Sequence, residues 1–338
     1  MQCVMVTGAT SMIGCALIQE CLKNGVGVIA LARKGSSKLS RLPASPLLTL
    51  IECDLDQMRD LSVERVRAAA AALAAAAGAS VGAGSDSRAA AGSGSEAAAQ
   101  LLPLDTPIDC FYHFGWTFTD HEGRNSPEKQ ELNIRYTLDA VSLASRCGCR
   151  KFVGAGSQAE YGRASVPLNG SVPCFPEVAY GVAKHAAGLL VRMKCRELGM
   201  ACNWVRILSV YGTNDSPATL IKTFIGRCRS GEPMDLGPCT HQWDYLFEED
   251  AGRAFFALGT KGVDGKIYCL GSGESRPLKE YLGEITALVN PSYTGANYGA
   301  IPYGEKSVTY LKADITDLTA DTGWKPAVSF RDGIGRML

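Results

Sequence analysis

Apolar runs alternate with amphipathic stretches along the first two thirds of the chain. Short runs rich in Val, Ile, Leu and Cys predict buried strands at residues 3–8, 26–32, 47–53, 108–114, 150–156 and 202–209. Apolar positions at helical spacing predict helices near residues 12–24, 127–147 and 179–198, and Gly25, Gly148 and Gly199 follow these helices as stop signals. The pattern predicts an α/β fold with a doubly wound parallel sheet, whose ligand crevice lies at the carboxyl ends of the strands.

The segment from Glu64 to Leu102 breaks this alternation, because Ala, Gly and Ser dominate it. Arg65 to Ala77 could form an Ala-rich helix, whereas Gly78 to Ser95 is typical of a flexible linker. Connections inside a domain are usually about 4–6 residues long, so we interpret residues 64–102 as an insertion between two core elements. The insertion is either a tolerated excursion or a segment that binds a partner or acts as a lid.

The regular alternation ends after Tyr211. Residues 213–242 and 273–338 combine short helical patterns with Pro- and Gly-rich turns, and a last strand is predicted near residues 266–271. We therefore expect residues 1–212 and about 243–272 to form the domain built on the sheet. Residues 213–242 and 273–338 are expected to form a smaller C-terminal domain that binds substrate over the strand ends.

Composition narrows the possible partners. Lys plus Arg and Asp plus Glu each number 34, so the net charge of zero gives no electrostatic case for binding nucleic acid or an anionic membrane. The 13 cysteines are scattered and lack the spacing of a metal or redox site, which favours free thiols in a reducing compartment and predicts no metal. No apolar run approaches the roughly 20 residues of a membrane span, and the first strand begins too early for a signal peptide. These features predict a cytoplasmic protein.

A turn of small residues, Gly8-Ala-Thr-Ser-Met-Ile-Gly14, connects the first strand to the first helix. Small residues let backbone N–H groups approach a pyrophosphate, which then lies at the positive end of the helix dipole. The turn therefore predicts a dinucleotide site, with these residues as candidates: Gly8, Thr10, Ser11, Met12, Ile13 and Gly14.

Two further strand ends bear on which dinucleotide would bind. Arg33 ends the second strand, where an acidic residue would accept the adenosine ribose hydroxyls and an arginine suits a 2′-phosphate. Arg33 therefore favours NADP, with NAD as the alternative. Asp54, followed by Leu55, ends the third strand and could hold the adenine amino group.

Tyr180 and Lys184 are the candidate catalytic pair. Residues four apart share one face of a helix, so the ammonium can lie beside the phenol. A positive charge within roughly 4–6 Å lowers a neighbouring pKa by about 1–3, which makes a phenol usable for proton transfer. Tyr-x-x-x-Lys is a weak motif by itself, but downstream of a dinucleotide turn and of Ser157 it indicates a site for transferring a proton to or from a reacting oxygen.

Several motifs together resemble one superfamily: Gly8-x-x-Ser11-x-x-Gly14, Asp54-Leu55, His113-Phe-Gly-Trp116, Asn133, Ser157, Tyr180-x-x-x-Lys184, Trp243-Asp-Tyr245 and Thr322-Gly-Trp-Lys-Pro326. The chain is similar to the extended short-chain dehydrogenases/reductases, and more narrowly to the NAD-dependent epimerase/dehydratase family, which modifies nucleotide sugars on a Rossmann-type sheet. By this resemblance Tyr180 is the general acid/base, Lys184 assists it and binds the nicotinamide ribose, and Ser157 hydrogen-bonds the reacting oxygen.

The resemblance also suggests the remaining contacts. Phe114 and Gly115 are expected to line the cofactor site, and we interpret His113 as a packed strand residue. The candidates for substrate contact are Trp116, Gln158, Glu160, Ser209 and Arg276, and the alternative for Glu160 is a role in the turn after the fifth strand.

Three departures from the family pattern carry information. Ser11 replaces the middle glycine of the turn, and its hydroxyl could reach a phosphate. Ser157-Gln158-Ala159 replaces the Thr-Asp-Glu of the 4,6-dehydratases, so the carboxyls for eliminating water are missing. Ser209 and Trp243 stand where the family often has Asn and Arg near the sugar diphosphate; Arg206 or Arg276 could compensate, or Arg206 could be a structural strand residue.

The leading functional hypothesis is an NADPH-dependent reductase of a 4-keto sugar carried on a nucleoside diphosphate. The alternatives are a nucleotide-sugar 4-epimerase, a reductase of a non-sugar ketone, and a non-enzymatic regulator that binds NADP. The resemblance also implies a homodimer formed through the helices near residues 127–147 and 179–198, with Leu138, Leu143, Leu189 and Met193 as candidate contacts.

Overall fold

The computed structural model describes residues 1–82, 107–304 and 307–338. Its strands are β1 (Cys3–Thr7), β2 (Gly27–Ala32), β3 (Leu48–Glu52), β4 (Cys110–His113), β5 (Lys151–Ser157), β6 (Ala201–Ile207), β7 (Ser209–Tyr211), β8 (Met234–Leu236), β9 (Gln242–Trp243), β10 (Tyr245–Phe247), β11 (Ile267–Leu270), β12 (Arg276–Pro277) and β13 (Ala296–Tyr298). Its helices are α1 (Met12–Lys23), α2 (Val63–Gly82), α3 (His121–Asn125), α4 (Pro127–Arg146), α5 (Ala179–Glu197), α6 (Leu220–Ser230), α7 (Glu248–Lys261), α8 (Leu278–Val289), α9 (Thr316–Thr322) and α10 (Phe330–Met337).

A central sheet of seven strands has the order β11–β6–β5–β4–β1–β2–β3, and every neighbouring pair is parallel. This confirms the predicted doubly wound sheet, including the last strand near residues 266–271. The three predicted helices are also confirmed as α1, α4 and α5. Because the chain order reverses direction between β1 and β4, the carboxyl ends of these two strands flank the crevice where such sheets bind ligands.

Side chains of successive strand residues enter opposite apolar layers, as the two-residue period of a strand requires. Met5 belongs to the layer that contains Phe111, Phe152 and helix α4 residues, whereas Val4 and Val6 belong to the layer with α1 and α7. Both faces of the sheet are thus covered by helices. Its strands are continuous runs of apolar residues because side chains on either face are buried.

The predicted linker from Gly78 to Ser95 is wrong at its beginning. Helix α2 continues through Gly82, because extending a helix already formed over the Ala-rich stretch is easier than starting one, even though Gly78 and Gly82 have low helix propensity. The rest of the predicted linker, from residue 83 onward, and the end of the insertion at residue 102 lie outside the described residues.

The smaller C-terminal region has an apolar core of its own, in which Phe224, Phe247, Tyr281 and Ile334 are buried together. Trp324 packs instead in the sheet layer beside α7. The domain boundaries given above remain a prediction. Among the described residues, no helix is both long enough and apolar enough to cross a membrane.

Candidate active site

The glycine turn brings β1 against the end of β4. Gly8 has a φ of +62°, and a Cβ added there would lie 2.7 Å from the backbone carbonyl carbon of Phe114 and 2.8 Å from the Gly115 nitrogen. Only glycine fits this position, because both the positive φ and the close approach exclude a side chain. Ser11 begins α1, and its Oγ accepts a hydrogen bond from the Gly14 nitrogen at 3.1 Å. The serine that replaces the middle glycine therefore serves as a helix cap.

A cavity of about 620 Å³ opens at this turn and runs along the carboxyl ends of β1 to β4. Most of the expected cofactor residues line it: Gly8, Thr10, Ser11, Arg33, Asp54, Leu55, Phe114 and Gly115. Trp116, expected to contact substrate, also lines it. Met12, Ile13 and Gly14 lie in the first turn of α1 and are not among its lining residues.

The two ends of the cavity differ in chemistry. Arg33, Ser36 and Lys38 lie at one end, beyond β2, and both cations are exposed. Asp54 begins a short 3₁₀ turn (Leu55–Gln57), and its Oδ1 accepts from the Leu55 nitrogen at 2.8 Å. The other end lies against Trp116 and residues 117–120. A helix N-terminus between a cationic end and an aromatic end fits a phosphorylated dinucleotide.

His113 is a packed residue at the end of β4. It is 2 % exposed, and its ring nitrogens bond the hydroxyls of Thr7 at 2.8 Å and Thr137 at 3.3 Å. Burial, together with the charge of Lys184, lowers the pKa of His113 to about 3. The imidazole is therefore neutral at physiological pH, which agrees with its interpretation as a structural residue.

Tyr180 lies at the start of α5, beside the end of β5. The guanidinium carbon of Arg124 lies 4.1 Å from the centroid of its ring, and the Trp116 ring meets it edge to face at 6.0 Å. Burial raises the pKa of Tyr180, while Ser157 and Arg124 act in the opposite direction. Arg124 has no sequence motif around it, and sequence reasoning missed it.

Lys184 is buried on the same face of α5 as Tyr180, but its ammonium is not directly against the phenol ring. Nζ lies 3.7 Å from the Trp116 ring centroid and 5.9 Å from the Tyr180 ring centroid, and it donates to the Ala155 carbonyl at 2.6 Å. Burial is the main cause that lowers the pKa of Lys184 to about 7; the charge of Glu160 opposes it, and Arg124 acts in the same direction as burial.

Glu160 has a different role from the one expected. It is fully buried, and its carboxylate accepts from the Ser157 nitrogen, Trp204 Nε1 and Arg206 Nε, each at 2.9 Å. The sequence allows two roles for Arg206, a compensating contact near the sugar diphosphate and a structural role in the strand. The structure shows the second. The expectation that Glu160 contacts a sugar is wrong, because its oxygens are occupied inside the protein. Ser157 Oγ accepts from the Ala159 nitrogen at 3.1 Å, which leaves its proton free to donate.

The other expected substrate contacts do not line the cavity at the glycine turn. Gln158, just after β5, and Ser209, the first residue of β7, are half-buried. Arg276 pairs with Glu284, lies 4.0 Å from the Tyr281 ring centroid, and lines a separate cavity of about 460 Å³ in the C-terminal region.

Glu160, Cys174 and His185 form a group whose possible ligand atoms lie within 4.8 Å of one another. The Glu160 carboxylate is already paired with Arg206, whose guanidinium opposes a second cation at the same place. We therefore assign no metal to this group.

A family model described as the NAD dependent epimerase/dehydratase family matches residues 4–102 and 93–271. The chain is 27 % identical over 247 residues to a dTDP-4-dehydro-6-deoxyglucose reductase of Escherichia coli, an alignment that covers 68 % of this chain and 74 % of the reductase. The fold is similar to a UDP-glucose 4-epimerase of Thermotoga maritima with UDP-glucose, at a TM-score of 0.77 and 18 % identity over 99 % of this chain and 97 % of that one. It is also similar to an enzyme of Bordetella bronchiseptica in complex with NAD, at a TM-score of 0.75 and 18 % identity over 99 % and 92 % of the two chains.

Proposed function

Because the chain belongs to the NAD-dependent epimerase/dehydratase family, we propose that it is an NADPH-dependent reductase of a 4-keto sugar carried on a nucleoside diphosphate. The observation that carries the proposal is the pairing of Ser157, at the end of β5, with Tyr180, at the start of α5. Tyr180 contacts Trp116, which lines the cavity whose far end holds Arg33 and Lys38. The similarity to a reductase of a 4-keto sugar supports the same reaction.

In this proposal Tyr180 is the proton donor. Its raised pKa keeps the phenol protonated at neutral pH, which suits an acid that protonates the oxygen of a ketone as it is reduced. Ser157 uses an oxygen lone pair to accept from Ala159, so its O–H can donate to the same oxygen. Two placed donors stabilise the negative charge that develops on that oxygen in the transition state. The nicotinamide, when bound, supplies the hydride.

Lys184 is suited to orient the cofactor side of the site. With a pKa near 7 its amine changes charge around neutral pH, and among the described residues it donates a hydrogen bond to the Ala155 carbonyl at 2.6 Å. An ammonium has three N–H donors, so Lys184 retains donors for a ribose hydroxyl. This division assigns proton donation to Tyr180 and hydroxyl binding to Lys184.

NADP is the proposed cofactor. Arg33, Ser36 and Lys38 supply two cations and a hydroxyl beyond β2, where a ribose 2′-phosphate would lie. Replacing Arg33 by Ser is expected to weaken NADPH about tenfold, roughly the 1.4 kcal/mol of one charge-assisted hydrogen bond, with little change for NADH. Direct titration of both nucleotides measures this. The exposed Arg59, which is not among the cavity-lining residues, gives the control variant Arg59→Ser.

Anaerobic incubation with NADPH and a nucleoside-diphosphate 4-keto-6-deoxyhexose tests the reaction. We expect one NADPH to be oxidised for each sugar reduced. An isomerised sugar with no net oxidation would establish the 4-epimerase instead. If several such sugars gave no reaction with either nicotinamide, non-sugar ketones would be the next substrates to test, and a binding-only regulator would follow.

We also propose a cytoplasmic homodimer formed through α4 and α5. The thirteen cysteines are all free, as expected for a reducing compartment. Leu189 and Met193 of α5 are 44 % and 65 % exposed, whereas Leu143 is fully buried and belongs to the monomer core rather than to an interface. Light scattering that gives the mass of one chain would refute the dimer.

A further inference from the structure

We propose that Arg124, stacked on the ring of Tyr180, is a positioning residue that stabilises the ionised form of the phenol, in addition to the assistance that the Tyr-x-x-x-Lys motif assigns to Lys184. The inference rests on the proposed function, in which Tyr180 is the acid. It assigns a chemical role to a residue in a segment that has no recognisable motif.

The geometry distinguishes the two cations. The guanidinium carbon of Arg124 lies 4.1 Å from the Tyr180 ring centroid, whereas Lys184 Nζ lies 5.9 Å from it. The ammonium is instead 3.7 Å from the Trp116 ring centroid and bonded to the Ala155 carbonyl. Of these two cations, Arg124 is therefore the one stacked directly on the Tyr180 ring.

A guanidinium on an aromatic face is attracted to the electron-rich ring, and the attraction increases when the ring oxygen carries negative charge. An amine with a pKa near 7, such as that of Lys184, is largely neutral at the higher pH where a phenol ionises. The contact of Arg124 with the ring therefore carries the argument.

The segment that carries Arg124 is held by a buried amide. Gln130 of α4 is 1 % exposed, and its Nε2 donates to the carbonyls of Phe118 and Gly123, each at 2.9 Å. Its Oε1 accepts from Trp116 Nε1 at 2.9 Å. One side chain therefore positions both Trp116, which contacts Lys184, and the short helix that presents Arg124.

The backbone of this segment is constrained as well. Phe118 has a φ of +55°, which is uncommon for a residue with a side chain, and a Cβ on Gly123 would lie 2.8 Å from the Phe118 Cβ. Asp120 caps the helix by accepting from the Gly123 nitrogen at 2.9 Å. Such local strain persists only where the surroundings enforce it, and it is concentrated at functional sites.

The charged groups around Tyr180 come from three elements: Arg124 of α3, Lys184 of α5 and Glu160 of the 3₁₀ turn Gln158–Glu160. Glu160 raises the pKa of Tyr180, but its carboxylate is paired with Arg206. Burial is the largest effect and also raises it, while Ser157 and Arg124 lower it. Removing Arg124 removes the one arginine that acts against burial.

The experiment measures the acidity of the phenol without any turnover. A tyrosine analogue with two ring fluorines, whose phenol is more acidic than that of tyrosine, is placed at position 180 alone and titrated by ¹⁹F NMR. Arg124→Met is expected to raise the pKa of the phenol by at least about 1, the lower end of the range for a cation at this distance. Arg124→Lys is expected to restore most of the difference.

Arg196→Met is the matched control, because Arg196 is exposed on the same helix as Tyr180, roughly 24 Å along its axis. If Arg124→Met and Arg196→Met gave the same titration as the parent, the inference would be overturned. Thermal melting identifies a variant that fails to fold, and in that case Arg124→Gln makes the same comparison with a polar neutral side chain.

A second measurement uses the pH profile of kcat for reduction. An acid must be protonated to act, so activity falls as pH rises through the pKa of the phenol, and Arg124→Met should move this fall to higher pH. The two hypotheses fail separately. Absence of reduction with a shifted titration would reject the reductase alone, whereas normal reduction with an unshifted titration would reject the role of Arg124 alone.

Discussion

Two clusters of titratable side chains lie side by side at the end of β5 and differ in how their charges are compensated. In the Glu160 cluster, which consists of Glu160, Ser157, Trp204 and Arg206, the carboxylate accepts three hydrogen bonds at 2.9 Å, one of them from a guanidinium. Burial acts to raise the pKa of Glu160, but His185, Arg206 and the other donors together hold the pKa below its usual value. The charge is fully compensated inside the protein.

The Tyr180 cluster, which consists of Tyr180, Lys184, Trp116 and Arg124, has the opposite character. Its cations face aromatic rings, and no described carboxylate pairs with Lys184. Burial therefore dominates, raising the pKa of Tyr180 and lowering that of Lys184 to about 7. A compensated charge stabilises the fold, whereas uncompensated titratable groups beside a cavity are typical of catalytic sites.

The largest expected effect is on activity. Replacing Tyr180 by Phe removes the proposed proton donor but keeps the ring that contacts Arg124 and Trp116, so kcat should fall by about 10²–10⁴-fold while the melting temperature changes little. Steady-state assays and thermal melting of the same preparation check both parts. Full activity in Tyr180→Phe would mean that the cluster is not catalytic.

Replacing Glu160 by Gln should have the reverse pattern, with stability as the primary loss. The change leaves Arg206 buried without its counter-charge, which is expected to cost about 3–5 kcal/mol in the free energy of unfolding. Denaturant unfolding measures it. Glu177→Gln is the control, because the Glu177–Arg163 pair is exposed and such pairs contribute about 0–1 kcal/mol. Equal losses in the two variants would contradict the distinction between the clusters.

A smaller effect is expected in the pH dependence of stability. The pKa of Lys184 is about 7 in the folded protein and 10.5 in the unfolded chain, where the amine is not buried. Between these two pH values the unfolded chain therefore binds more protons than the folded protein. Between about pH 7 and 10.5 the free energy of unfolding of the parent should therefore rise relative to that of Lys184→Met. Below pH 7 the difference between the two proteins should not change with pH. Unfolding curves across this range test the sign, with the half-exposed Lys194→Met as a control on the same helix. A difference that falls with pH would show that Lys184 is stabilised as a cation.

The predicted cofactor residues that the structure brings together are those at the carboxyl ends of parallel strands. Gly8, Arg33, Asp54 and Phe114 follow β1 to β4, and parallel strands bring such positions to one edge of the sheet whatever the intervening sequence. This rule does not apply to Arg276, because it belongs to a short strand of the C-terminal region and pairs there with Glu284.

The sequence by itself determined the sheet, its flanking helices, the glycine turn and the family, because each depends on local periodicity or on motifs of fixed spacing. Only the tertiary structure decided that Glu160 is an internal ion-pair partner and that Arg124, rather than Lys184, is the cation on the Tyr180 ring. Both contacts join residues separated by tens of positions. The turn at Phe118 and the amide of Gln130 bring Arg124 to Tyr180, and the strand register brings Arg206 to Glu160. The contact between two side chains depends on this three-dimensional packing, which no local pattern in the sequence encodes.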